Sequence, residues 1–188
     1  MAALAASASA AVGAATVDVT RHGSEFDVEA IAQAHASVAV AWRTLTEYER
    51  LPQFVPGIAS VRVLRRSRSD GVERLLLEQR GEFRWLVFTQ PVTVRMYVVQ
   101  QPPTRVDAHA VPAGGDDAAH LESFEGRYEL AAAGDGVRLR YVARIVPRFA
   151  LPPIIGELAL RRTVRTQFEA MLAEIERRAA IDDTRGMR

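Results

Sequence analysis

The hydrophobic positions of the chain change period twice, and the changes divide it into three parts. From residue 17 to residue 36, apolar and polar residues alternate on both sides of His22-Gly23-Ser24, which predicts a β-hairpin. Small side chains on one face of a strand leave room above it, either for a closely packed helix or for a ligand. The second arm carries such a row: Ala30, Ala32, Ala34 and Ala36.

A short helix follows the hairpin. Ser37 is a suitable N-cap, and Val38, Ala41, Trp42, Leu45 and Tyr48 then recur at helical spacing. The helix cannot continue past Leu51-Pro52, because proline removes a backbone donor and clashes with the preceding turn. Residues 53–57 are predicted to form a rigid turn that contains Phe54.

Period-two alternation returns from residue 58 to residue 146 and predicts a sheet. Gly81 and Pro91 are among the residues expected to separate strands. The short connections favour antiparallel neighbours, because parallel pairs need long crossovers. The predicted strands are residues 58–65, 72–80, 83–90, 92–100, 105–111, 119–130 and 137–146.

A long terminal helix is predicted over residues 151–180, with one apolar stripe facing the sheet: Val164, Phe168, Met171, Leu172, Ile175 and Ala179. Extended toward the N-terminus, this stripe meets Glu157 and Arg161, which are spaced for an i,i+4 ion pair. Two interpretations stay open. Both charges are solvated at the edge of the sheet, or both line the mouth of a cavity and orient a ligand.

Composition restricts the classes of function. The 188-residue chain has a net charge of +1, which does not favour a nucleic-acid partner, and no cysteine, which removes thiol chemistry. No stretch approaches the length of a membrane span. His109 and His120 flank a loop with Asp116-Asp117, but the spacing does not indicate a metal site. We therefore expect neither a metal nor a cofactor.

The expected domain organisation is simple. Residues 1–16 are an alanine-rich flexible tail or the remnant of an export signal, residues 17–180 form one domain, and residues 181–188 form a disordered C-terminal tail. The sequence leaves the compartment open: the cytoplasm is favoured, and export to the periplasm or exterior is the alternative that the alanine-rich N-terminus allows.

Five segments carry a resemblance to a known family. They are residues 40–58, 79–81, 124–130, 137–141 and 147–153, with Trp42, Leu45, Tyr48, Leu51-Pro52, Phe54 and Pro56 in the first. In this order the chain resembles the START-like, helix-grip superfamily, which includes polyketide cyclases/dehydrases and coenzyme-Q-binding START proteins. The resemblance covers about residues 26–178. It implies an α+β fold in which a curved antiparallel sheet wraps around the long C-terminal helix, with a short helical segment after the first strand.

The resemblance also implies a hydrophobic cavity between the sheet and the last helix. The residues themselves suggest which side chains would serve it. Aromatics in proline-bounded loops are suited to form a gate, and inward polar tips are suited to bind a ligand oxygen. The candidate site residues are Glu157, Arg161, Phe54, Phe149, Gln79, Tyr128, Tyr141 and Phe168.

Three hypotheses about function follow. The first is binding, and by extension transport or chaperoning, of a hydrophobic small molecule such as a lipid, quinone or polyketide. The second is a cyclase/dehydrase-type enzyme acting in the same cavity, with a buried polar group as acid or base. The third is an interaction protein that associates with ribosomes or a membrane surface. Fold alone does not choose among them.

Overall fold

The computed structural model describes residues 15–85, 88–111, 121–148 and 153–186. Within these residues the helices are α1 (Val38–Thr46), a 3-10 helix (Tyr48–Gln53) and α2 (Pro153–Gly186). The strands are β1 (Thr16–His22), β2 (Glu25–Ala34), β3 (Ile58–Ser69), β4 (Val72–Trp85), β5 (Phe88–Gln101), β6 (Arg105–Val111), β7 (Leu121–Ala133) and β8 (Gly136–Pro147).

The eight strands of the described chain form one curved, unclosed sheet in the order β1-β2-β8-β7-β6-β5-β4-β3. All neighbours are antiparallel. The first hairpin therefore joins the sheet through β8, the last strand, and β1 and β3 form its edges. The helix α2 lies across the inner face, so the predicted helix-grip architecture is confirmed.

Three hairpin turns lie where glycine was expected to interrupt the alternation. Each connection has two residues, at 23–24, 70–71 and 134–135. Asp70 and Gly71 both have positive φ, of 52° and 75°, which is the geometry of a tight turn whose twist matches that of the flanking strands. These turns fix the register of three strand pairs, and so fix which side chains face inward.

The predicted strand over residues 83–90 is wrong, because Gly81 and Pro91 do not end strands. Gly81 lies inside β4, where a Cβ would collide with the carbonyl oxygen of Gly57. Pro91 lies inside β5, opposite Glu82 of β4, whereas the described pairing of β5 with β6 begins only at Arg95. Proline is tolerated there because it has no ladder partner on its second side among the described residues.

The short helical segment is divided in two. Ser37 caps α1 as predicted, since its Oγ accepts from the Val40 backbone N–H at 3.2 Å. After Glu47 the chain continues as the 3-10 helix, which contains Pro52. This arrangement places Leu45, Tyr48 and Leu51 over one end of the inner face of the sheet.

The helix α2 packs chiefly on β1, β2 and α1. The alternate alanines of β2 are buried beneath it, so here the small residues admit a closely packed helix. The helix extends to Gly186 rather than Ala180, through residues predicted to be a disordered tail. An ion pair between Arg43 and Asp182, at 2.6 Å, attaches this last stretch to α1. None of the helices described is both long and apolar enough to cross a membrane.

Candidate functional site

A cavity of about 320 Å³ lies between the sheet and one flank of α2. It lies in the range typical of small-molecule sites. It is also about twice the volume of a buried apolar cavity that accepts benzene. Its walls are predominantly apolar, with Val61, Leu77, Val94, Met96, Val98 and Val106 from the sheet and Leu160, Val164, Phe168 and Met171 from α2.

The hollow coincides with a row of small residues across three strands. Ala143, Gly126 and Ala108 are directly paired on β8, β7 and β6. Such a row presents little side-chain volume to the helix. The ring of Phe124 partly covers Gly126, where a Cβ would lie 2.7 Å from the ring. Gly126, Ala108 and Phe124 all line the cavity.

Two stacked tyrosines form the polar part of the wall. Tyr128 and Tyr141 are directly paired across β7 and β8, with ring centroids 4.6 Å apart, and Phe168 of α2 lies 6.5 Å from Tyr128. Burial raises the pKa of both phenols, and the neighbouring Tyr128 raises that of Tyr141 further. Both are therefore neutral hydrogen-bond donors at physiological pH.

Neither phenol hydroxyl has a hydrogen-bond partner within the described part of the chain, and both residues are half-buried. This contrasts with Tyr48 at the α1 end of the cavity, whose hydroxyl accepts from Gln100 Nε2 at 2.8 Å. Burial raises the pKa of Tyr48 to about 12, against the opposing effect of Gln100. Tyr48 thus has a structural partner, whereas Tyr128 and Tyr141 have hydrogen-bonding capacity to offer a ligand.

The helix contributes two further neutral polar groups, Thr163 and Gln167. Gln167 Nε2 donates to the Pro56 carbonyl at 2.9 Å and so ties α2 to the turn before β3. From β4 comes Gln79. The sequence analysis did not identify Tyr48, Thr163 or Gln167 as cavity residues. The spacing of Thr163 and Gln167 beside the apolar stripe was the available signal.

The Glu157 and Arg161 side chains do not line the cavity. They form the expected i,i+4 pair, with Arg161 Nη2 3.1 Å from Glu157 Oε1. The same Nη2 donates to the Val19 carbonyl at 3.0 Å and lies 3.4 Å from Asp18 Oδ1. These contacts turn the pair toward the edge strand β1. The neighbouring positions 160, 163 and 164 face the cavity instead. The prediction of a ligand-orienting pair at the cavity mouth is corrected accordingly.

The Phe54 ring also lies outside the cavity lining. It packs against the core and beneath the Arg178 guanidinium, whose carbon lies 5.7 Å from the ring centroid. Arg178 in turn binds Glu174 and Glu47, each at 2.7 Å. This cluster, called the clasp below, joins the C-terminal half of α2 to the end of α1. Phe149, the other predicted gate residue, lies outside the described residues.

Four predicted site residues do line the cavity: Gln79, Tyr128, Tyr141 and Phe168. A search of the described residues for three or more His, Asp or Glu side chains placed to hold a metal ion found no group. His120 and Asp116 lie outside those residues.

The comparisons with known proteins agree on fold and family. A sequence profile described as "Polyketide cyclase / dehydrase and lipid transport" matches residues 34–172. A search of curated protein sequences found no significant match.

Solved structures with the same fold are distant in sequence. A STAR-related lipid transfer protein from Xanthomonas axonopodis is 15% identical with a TM-score of 0.67, covering 86% of this chain and 93% of that one. The Zhui aromatase/cyclase from a Streptomyces species is 14% identical with a TM-score of 0.62, covering 83% and 94%. A START superfamily protein from Mycobacterium smegmatis is 16% identical with a TM-score of 0.59, covering 82% and 97%.

Similarity at this level establishes the fold, and the profile match over most of the chain establishes the family. The solved structures that share its fold include a STAR-related lipid transfer protein and an aromatase/cyclase. The START-like protein described here belongs to the polyketide cyclase / dehydrase and lipid transport family.

Proposed function

We propose that this protein binds an apolar small molecule in the cavity beneath α2. One observation carries the proposal. A largely apolar hollow of about 320 Å³ is lined by two half-buried phenols, Tyr128 and Tyr141, without hydrogen-bond partners in the described chain. A phenol hydroxyl that faces such a hollow has an unused donor, which a ligand or water can satisfy. An apolar guest with one polar end would satisfy it and would fill the hollow.

The size of the cavity restricts the guest. The cavity has about twice the volume of one that accepts benzene, so it suits a molecule of one or two rings or a chain of similar volume. A complete two-chain phospholipid is too large for this volume. Of the ligand classes considered from the sequence, we therefore favour a compact quinone-like or polyketide-like molecule over a membrane lipid.

A cyclase-type enzyme is the second candidate, and its support is the family match together with the inward phenols. General acid–base catalysis favours groups whose pKa lies near the working pH. Burial raises the pKa of Tyr128 and Tyr141 and so moves both further from a neutral working pH. The described wall therefore supports orientation of a ligand better than proton transfer, and binding without turnover is our preferred function.

The test of the proposal is a titration with 6-propionyl-2-(dimethylamino)naphthalene, a neutral two-ring dye whose emission shifts to shorter wavelength in apolar surroundings. The variant Ala108→Leu adds volume inside the cavity, whereas the matched control Ala131→Leu adds the same volume on the exposed outer face of β7. We expect saturable binding to the wild type and to the control, and at least tenfold weaker binding to Ala108→Leu. Equal binding by both variants would place the dye elsewhere and refute the proposal.

A further inference from the structure

We propose that the cavity selects an uncharged ligand whose polar end is an acceptor oxygen, such as a ketone or quinone carbonyl, and discriminates against carboxylates. This inference rests on the proposed function and names the class of molecule that the site takes. It is drawn from the charges of the lining residues, considered with the two phenols.

The first argument is the absence of a cation. The sequence contains no lysine. None of the described residues that line the cavity is an arginine or a histidine. The ionisable groups of that lining are Tyr48, Tyr128, Tyr141 and Glu82. Glu82 forms an ion pair with Arg84, and both belong to the outer face of β4, which alternates with the inward residues such as Leu77.

A described lining without arginine or histidine is unfavourable for a buried anion. An ionised carboxylate taken from water into an apolar site needs an opposite charge or several strong donors to offset its desolvation. Arginine pairs are abundant elsewhere in this protein. Arg95 and Arg80, for example, bind Glu78 on the outer face of β4, away from the cavity. The described wall of the cavity offers no such pairing.

The second argument is the chemistry of the phenols. Tyr128 and Tyr141 are neutral, stacked, and without partners in the described chain. A phenol hydroxyl donates well to a carbonyl oxygen. Two adjacent phenols can donate to one acceptor or to two neighbouring acceptors. Phe168, nearly parallel to Tyr128 at 16°, extends this aromatic wall, against which a flat ring system would pack.

The experiment compares two molecules of equal size by isothermal titration calorimetry at pH 8. They are methyl 2-naphthyl ketone and naphthalene-2-carboxylate, which differ by a methyl group in place of a charged oxygen. Naphthalene itself is the reference without a polar end. We expect the ketone to bind at least about tenfold more tightly than the carboxylate, because the latter must bury an unpaired charge or bind as its neutral acid. If it binds as the acid, its affinity falls about tenfold per pH unit above its own pKa.

Variants connect the preference to the phenols. Tyr128→Phe and Tyr141→Phe should each weaken ketone binding several-fold and leave naphthalene binding unchanged, because only the ketone uses the hydroxyls. The matched control is Tyr97→Phe, since Tyr97 stacks on His109 and does not line the cavity. Near-UV and far-UV circular dichroism of each variant would verify folding.

The outcomes separate the two proposals. Carboxylate binding as tight as ketone binding at pH 8, with no loss as the pH rises, would overturn the selection for neutral ligands and leave apolar-ligand binding intact. An unchanged ketone affinity in both phenylalanine variants would overturn the role of the phenols. Failure of all three naphthalene compounds to bind would refute the proposed function itself.

Discussion

The two flanks of α2 rest on sheet regions that both contain small residues, yet only one flank encloses a cavity. Toward β1 and β2, the alanines of β2 are buried directly beneath the helix. Toward β4–β7, Ala108 and Gly126 lie beneath a hollow of about 320 Å³. The difference is in where the helix lies over the sheet.

Large side chains adjoin the small residues of both regions, since Tyr128 lines the hollow and Ala30 of β2 is directly paired with Tyr141 of β8. The helix itself makes the difference, because its contacts with the sheet lie mainly on β1 and β2. Small residues therefore leave a cavity where the helix does not lie directly on them.

The largest expected effect comes from a matched pair of leucines, each 1% exposed. Leu172→Ala removes a side chain of α2 that does not line the cavity, and we expect a loss of about 3–5 kcal/mol in the free energy of unfolding. Leu77 lines the cavity, so its side chain has fewer contacts to lose. We expect Leu77→Ala to lower the free energy of unfolding by about 2–3 kcal/mol, near the lower end of the usual range for such substitutions. Urea denaturation measures both. An equal cost would show that the two regions are packed alike.

Enlarging alanines should give a difference in the same direction. Ala30→Leu inserts volume where β2 is fully buried, and should destabilise the fold by about 1–3 kcal/mol. Ala108→Leu inserts the same volume into the cavity and should cost less than about 1 kcal/mol. Thermal and urea unfolding of both variants test this. Equal destabilisation would mean that no usable space exists at Ala108.

The clasp predicts a pH-dependent contribution confined to the C-terminal half of α2. The hydrogen bond from Arg177, assisted by Arg178 against the effect of burial, lowers the pKa of Glu174 to about 2 from its ordinary 4.5. The stabilisation is thus present above about pH 4.5 and is lost as the pH falls toward 2. The free energy of unfolding, measured across this pH range, should depend less steeply on pH in Glu174→Gln than in the wild type. An identical pH dependence would show that Glu174 does not contribute to it.

The smallest expected effect concerns the floor of the cavity. Gly126→Ala should force the Phe124 ring off the sheet and into the hollow, because the new Cβ would lie 2.7 Å from it. We expect a change in stability below about 1 kcal/mol and a several-fold loss of dye affinity. The double variant Gly126→Ala/Phe124→Leu should recover much of that affinity. Additive losses in the double variant would show that the ring is not involved.

Much of the fold could be predicted from local patterns. Alternation identified most strands, and glycine-containing turns located three hairpins. The errors at Gly81 and Pro91 have a common cause. Both residues break strands in isolation, whereas here one accommodates the backbone of Gly57 and the other lies where β5 lacks a described partner on one side. Those reasons are tertiary and leave no local pattern.

The site was predicted less completely. Period two placed Tyr128 and Tyr141 inward, and helical period placed Phe168. Helical period could not tell which flank of α2 faces the cavity, because the packing angle of the helix on the sheet decides that. The placement of Glu157 and Arg161 consequently stayed open, and in the structure Arg161 binds the Val19 carbonyl and Asp18 at the edge strand.

The most direct test of the central claim uses the methyl groups of methionine. The chain contains four methionines, of which Met96 and Met171 line the cavity and Met1 and Met187 lie at the termini. Methyl-¹³C-methionine NMR spectra would be recorded during titration with methyl 2-naphthyl ketone. We expect the Met96 and Met171 signals to shift together and saturably, while the Met187 signal stays in place. Saturable binding that leaves Met96 and Met171 unshifted would contradict a ligand site beneath α2.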